Sequence, residues 1–197
     1  RLIYDNDFVD TVAELHSRGD KTDIKHWLQV TDGEIAYFAE SYRSFRDAAS
    51  VAEPEVTAAN DDMLYIMYTS GTTGLPKGVV HTHHTSIWGL LSISATAVYY
   101  DPERYLACLP MFHVGALTPL AVNVYRGVTS VVMRSFDPVG AWEIIEREKI
   151  TSGLAVPAML NFMLQVPNFE RFDFSSLRWI MTGAAPVPPA LTKIFHD

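Results

Sequence analysis

A single cysteine in 197 residues, Cys108, excludes any disulfide within the chain, so packing must hold the fold together. Within its apolar surroundings at 105–109 the bland reading is a buried, reduced thiol and the alternative a reactive one. Basic residues are also scarce. Lys+Arg 15 against Asp+Glu 23 leaves a net charge of -8, which argues against a protein that grips a nucleic-acid backbone and requires any anion site to be built locally. No long apolar run is present: the longest, about residues 87–100, is interrupted by Ser92, Ser94 and Thr96 and falls short of the ~20 residues that span a bilayer. It reads as a core helix, and no transmembrane segment is expected. No basic-then-apolar leader follows Arg1, which favours a cytoplasmic protein. His81, His83 and His84 lack a second ligand cluster, an H-E-x-x-H pair or a cysteine pair, so a zinc site is disfavoured there.

What is present is enough apolar material for a sizeable core, 48% hydrophobic against 19% charged. A strand at residues 1–4 leads to a helix capped by Asn6 or Asp7, with Phe8, Val12 and Leu15 on one face and Gly19 past its end. Another strand at 24–30 and a short helix at 43–49 run into residues 51–60, where Pro54 and polar side chains without apolar period mark a linker. Beyond it strands at 64–68, 78–81, 105–109, 128–133, 152–156 and 177–182 alternate with helical patterns, one of them opened by an Asp137 cap and Pro138. That alternation predicts an α/β fold with a largely parallel sheet covered by helices. Residues 1–60 are expected to end a preceding α/β subdomain and linker, and 61–197 to form a second one whose last helix, opened by Pro188 or Pro189, stops short.

The densest chemical signal lies between the strands at 64–68 and 78–81. Thr69, Ser70, Gly71, Thr72, Thr73, Gly74, Leu75, Pro76, Lys77 and Gly78 combine hydroxyls, glycines and one lysine. Glycines let backbone N–H groups approach an anion, hydroxyls donate further bonds, and the ammonium adds a charge-assisted contact. Pro76 before Lys77 and Gly78 after it break the Walker pattern, whose lysine opens a helix rather than a strand. The bland alternative is a flexible turn.

This segment resembles the signature loop of the AMP-forming adenylating enzymes, the superfamily of acyl-CoA synthetases, peptide-synthetase adenylation domains and beetle luciferases. The resemblance implies that Thr69, Ser70, Gly71, Thr72, Thr73 and Gly74 embrace the β- and γ-phosphates of ATP, with Lys77 beside them. Two further segments follow strands and are similar to family motifs. Phe112 and His113 would border the acyl pocket and the α-phosphate, against the plain reading of a histidine that caps the next helix. Gly183, Ala184, Ala185 and Pro186 would contact adenine and the acyl tunnel, against that of a tight turn. The implied reaction joins a small-molecule carboxylic acid, fatty or aryl, to ATP as an acyl-adenylate with Mg²⁺ and then transfers the acyl group to coenzyme A, His113 and Lys77 being the catalytic candidates. Loading of a carrier protein and a non-catalytic acyl- or nucleotide-binding module are the alternatives. The family's magnesium glutamate, ribose aspartate and C-terminal lysine do not occur here, so the chain is expected to be an internal piece of the N-terminal domain, inactive alone.

Overall fold

The computed structural model describes residues 1–69, 74–98 and 101–196. The chain divides into two compact units, Arg1–Val56 and Thr57–Asp197. In the first, β1 (Leu2–Asp5) and β2 (Trp27–Val30) run parallel and the short β3 (Glu40–Ser41) adds to β2. Between β1 and β2, α1 (Val9–Ser17) lays Val12 against a small core with Tyr4 and Trp27. The cap expected at Asn6 or Asp7 falls instead on Asp5, whose carboxylate accepts from the Asp7 N–H as the strand ends. A 3-10 turn, Asn6–Phe8, therefore precedes the α-helix. Ser41 caps α2 (Tyr42–Asp47), which closes the unit.

The second unit opens with a hairpin, not with a strand of the parallel sheet. β4 (Met63–Thr69) and β5 (Lys77–Thr82) are antiparallel, from Met63 opposite Thr82 to Thr69 opposite Lys77, and form a sheet of their own. The link from Thr69 to Lys77 is too short for the crossover of about a dozen residues that parallel pairing needs. Thr82 and Thr85 form a reciprocal capping box that starts α3 (His83–Thr96). Contrary to the core-helix expectation, α3 buries none of its residues, and Ile87 and Trp88 stay 52% and 59% exposed. Its apolar residues surround the helix, while among the described residues only α4 and β5 pack closely on it.

The remaining strands, β6 (Arg104–Ala107), β7 (Thr129–Val132), β8 (Ser152–Ala155) and β9 (Trp179–Thr182), form one parallel sheet in the order β7-β6-β8-β9. The helices between them are α4 (Val114–Arg126), α5 (Pro138–Glu148) and α6 (Pro157–Leu164), and α7 (Pro189–His196) follows β9. Each begins or ends where the side chains dictate. Gly127, at φ 70, takes the left-handed conformation that ends α4, while Asp137 accepts from the Gly140 N–H ahead of Pro138 at the start of α5.

Strand alternation sorts the two faces of this sheet. Leu106 and Ile180 face α5 and α6, where Trp142, Ile145, Leu160 and Met163 form the main core. Tyr105, Leu154, Trp179 and Met181 face α4, whose Asn123 donates to Ser130 on β7 at 2.9 Å. Polar groups at the amino-terminal edge of the sheet are spent on one another. Ser152 Oγ donates to Glu103 Oε1 at 2.6 Å, and Arg104 Nη2 pairs with Glu148 Oε2 at 3.0 Å. Hydrogen bonds from Arg147, then the charges of Arg147 and Arg104, hold the Glu148 carboxyl below its ordinary range.

Candidate functional site

The chain leaves β6 toward β7 on one side and leaves β8 toward β9 on the other, so the order reverses between β6 and β8. Loops that diverge at such a point leave a crevice at the carboxyl ends of the strands. Phe112 and His113 follow β6 there, and Gly183, Ala184, Ala185 and Pro186 follow β9 at the same edge. Because β8 lies between β6 and β9, their ends are separated by about 10 Å, two strand spacings.

His113 occupies the N-cap position of α4, yet its ring makes no capping hydrogen bond; the backbone carbonyl alone serves the helix, accepting from Leu117 N–H at 3.1 Å. The ring instead lies 4.7 Å from that of Phe112, which is 72% exposed. Both aromatic rings are thus presented at the strand ends rather than absorbed into the core. Ala184 has φ 65, a left-handed conformation that costs an L-residue roughly 1–2 kcal/mol. The space where a Gly183 side chain would project is open.

In the hairpin, Thr69 and Lys77 are a cross-strand pair, and Thr69 Oγ1 donates to the Lys77 carbonyl at 3.5 Å. Thr69, Gly74 and Lys77 are exposed at the hairpin end. Ser70, Gly71, Thr72 and Thr73 lie outside the described residues. Gly78 is fixed by close approach: a Cβ there would stand 2.8 Å from Ile66 Cγ2. The hairpin connects to the four-stranded unit through α3, which packs on α4.

Beneath the loop that carries Phe112 and His113 lies a cavity of about 230 Å³, between α4 and the sheet. Its wall begins at Val114 and Gly115, directly after His113, and continues through Thr118, Pro119 and Asn123, with Leu154 and Met181 opposite. A larger cavity of about 300 Å³, beside α6, α7 and β9, touches none of the residues singled out by the sequence. The 230 Å³ cavity is the one whose lining directly follows Phe112 and His113.

The histidines near the hairpin are spoken for structurally. His81 stacks on its cross-strand partner Tyr65 at 4.7 Å, and His83 and His84 open α3. Among the described residues no group of three His, Cys, Asp or Glu side chains is arranged to hold a metal ion. The Cys108 thiol is buried at the end of β6, with its Sγ 3.4 Å from the Leu154 carbonyl, and burial pushes it up to about 11. It is no nucleophile at neutral pH. No helix among the described residues is long and apolar enough to cross a membrane.

The family model described as AMP-binding enzyme matches residues 2–197. The chain belongs to that family. It is 46% identical over 157 residues to the long-chain-fatty-acid–CoA ligase FadD13 of Mycobacterium tuberculosis, covering 80% of this chain and 31% of that protein. It is 34% identical over 197 residues to a feruloyl-CoA synthase of Amycolatopsis sp, covering 100% of this chain and 36% of the relative. The inhibitor-bound crystal structure of the N-terminal domain of FACL13 from Mycobacterium tuberculosis superposes with a TM-score of 0.87 at 39% identity, over 98% of this chain and 47% of that one. The chain thus spans about a third of the length of these curated relatives. The FACL13 domain shares the α/β architecture described above.

Sequence reasoning missed the cavity. Gly115, Pro119 and Asn123 recur every four residues along α4, with Val114 and Thr118 one position before the first two, and that spacing was visible in the sequence. What it did not show is that the opposing wall comes from β6, β8 and β9 together. The strained Ala184 was equally silent, since nothing in the letters distinguishes it from Ala185.

Proposed function

We propose that the complete protein activates a carboxylic acid with ATP and passes the acyl group to coenzyme A. The single observation that carries this reading is the apolar cavity that begins at Val114 and Gly115, next to Phe112 and His113, at the strand edge that also holds residues 183–186. An acyl tail in the cavity leaves its carboxylate among these residues. The names of the relatives, a fatty-acid–CoA ligase and a feruloyl-CoA synthase, favour coenzyme A over a carrier protein as acceptor.

In this reaction a carboxylate oxygen attacks the α-phosphorus of ATP, the bond to the bridging oxygen breaks and pyrophosphate departs. The coenzyme A thiolate then attacks the acyl carbon of the adenylate and AMP leaves. Both reactants of the first step are anions, so positioning and fixed dipoles must offset their repulsion. Thr69, Ser70, Gly71, Thr72, Thr73 and Gly74 would hold the β- and γ-phosphates, with the exposed Lys77 ammonium adding charge at the base of the loop. His113 and Phe112 would border the reacting carboxylate, and Gly183, Ala184, Ala185 and Pro186 would offer a flat surface to adenine. Magnesium, when bound with ATP, would help to neutralise the charge of the departing pyrophosphate.

Acid-dependent exchange of labelled pyrophosphate into ATP by the complete protein tests the proposal. Lys77→Ala is expected to lower the exchange by about ten- to a hundredfold, the value of one charge-assisted hydrogen bond. ATP hydrolysis that needs no acid, or exchange with none of a broad acid panel, would sink it. The isolated chain is expected to show no exchange.

A further inference from the structure

We propose that Ala184 is a positioning residue for the nucleotide, and that its left-handed turn is held by the bound nucleotide rather than by the fold. Backbone strain at this one residue then sets nucleotide affinity. This rests on the reading above, in which residues 183–186 meet the nucleotide. The segment is anchored at both ends. Thr182 pairs with Ala155 at the end of β9, and the Pro188 carbonyl accepts from Leu191 N–H at 3.0 Å as α7 begins. Between these anchors the chain must turn, and Pro186 restricts Ala185 to extended conformations. The turn falls on Ala184, at φ 65, and not on Gly183, which could take it with no Cβ in the way. Among the described glycines only Gly19 and Gly127 are left-handed.

Among the described residues nothing secures that choice. Ala184, Ala185 and Pro186 are exposed, and no backbone hydrogen bond runs from the Ala184 or Ala185 N–H to another described residue. A side chain on Gly183 would meet no atom within 4 Å, so packing does not dictate the glycine either. Strain at a non-glycine residue persists only where its surroundings over-determine it. Here the surroundings are a glycine, two unbonded N–H groups and open space, at the strand edge that also carries Phe112 and His113. A flat nucleotide face against Gly183, with donors at Ala184 and Ala185 beside it, supplies the missing constraint. In the free segment the left-handed turn competes with extended alternatives at Ala184, and the fraction in the turn scales the apparent affinity.

AMP binding to the complete protein, measured by calorimetry alongside pyrophosphate exchange, tests this with a series at position 184. Ala184→Gly removes the left-handed penalty and Ala184→Asn reduces it, whereas Ala184→Thr, β-branched and close to asparagine in size, increases it. AMP affinity is expected to rise about fivefold in the glycine variant, which corresponds to ~1 kcal/mol, and about twofold in the asparagine variant. In the threonine variant it is expected to fall about fivefold or more. KM for ATP should move in step, with kcat within about twofold of wild type. Ala185→Gly loosens the segment without touching the left-handed residue and is expected to bind AMP no more tightly than wild type. Urea midpoints of the nucleotide-free variants are expected to stay near that of wild type. If the threonine variant does not fold, the gains in the glycine and asparagine variants decide. Affinities that follow side-chain size, so that asparagine and threonine weaken AMP alike, overturn the inference. So does a raised urea midpoint in Ala184→Gly with unchanged AMP affinity, which would put the turn under the control of the fold, or a gain in Ala185→Gly equal to that at position 184. Acid-dependent exchange with AMP affinity unaltered across the series sinks this inference alone; exchange with no acid sinks the reading and the inference together.

Discussion

Replacing Trp142 with phenylalanine probes the core that holds the strand ends in place. The indole is 2% exposed, stacks on Phe169 with ring centroids 5.4 Å and planes 16° apart, and donates its Nε1–H to the Met163 carbonyl at 2.9 Å. It thereby ties α5 to the last turn of α6, the helix that joins β8 to β9. Phenylalanine keeps the stack and removes the hydrogen bond and one ring edge. The carbonyl retains the Val166 N–H at 3.3 Å, so the bond loss sits near the modest net value of about 1 kcal/mol. Two carbon-sized groups of lost burial add about 1.6 kcal/mol, and the total is about 2–3 kcal/mol. Urea unfolding followed by far-UV circular dichroism measures the midpoint shift without relying on the altered fluorophore. Glu143→Ala, on the exposed face of the same helix, is the control and should move stability by under about 0.5 kcal/mol. A Trp142→Phe midpoint as close to wild type as that control would refute the placement of the indole.

Gly78→Ala should disturb the hairpin, because its Cβ would stand 2.8 Å from Ile66 Cγ2 and 3.4 Å from Tyr68 Cε1. The expected cost is about 1–2 kcal/mol, together with a raised KM for ATP in pyrophosphate exchange as the neighbouring Lys77 shifts; wild-type stability and kinetics would contradict the close approach. Cys108 should resist disulfide reagents at pH 8 in the folded protein and react freely once unfolded. Burial raises the native thiol above the unfolded one, so its contribution to stability is complete below pH ~8.5 and declines as pH rises through about 11. Reaction at the rate of a small free thiol at pH 8 would show that the side chain is accessible.

Much of the architecture was legible because the signals for it are local. Asp137 ahead of Pro138 and the apolar run at 152–156 each act within a few residues, and both lie where their elements begin or run. Two readings failed for non-local reasons. The apolar stretch of α3 looked like a core helix, but burial depends on what packs against it. The strands at 64–68 and 78–81 were counted toward a largely parallel sheet, but they pair only with each other, antiparallel, and which sheet a strand joins is settled by packing.

For the site, the loop from Thr69 to Gly78 was nominated by composition alone. A cluster of hydroxyls, glycines and a lysine suits phosphate wherever the chain carries it. The sequence by itself thus determined the α/β class and most helix ends, and it nominated three segments for a nucleotide and an acid. The tertiary structure alone decided that residues 112–113 and 183–186 share one edge, with β8 between their strands, because strand order is set by crossovers that no short window contains. It also decided that α4 faces Tyr105, Leu154, Trp179 and Met181 across a cavity. A wall assembled from three strands, α4 and Ile93 of α3 exists only after they pack.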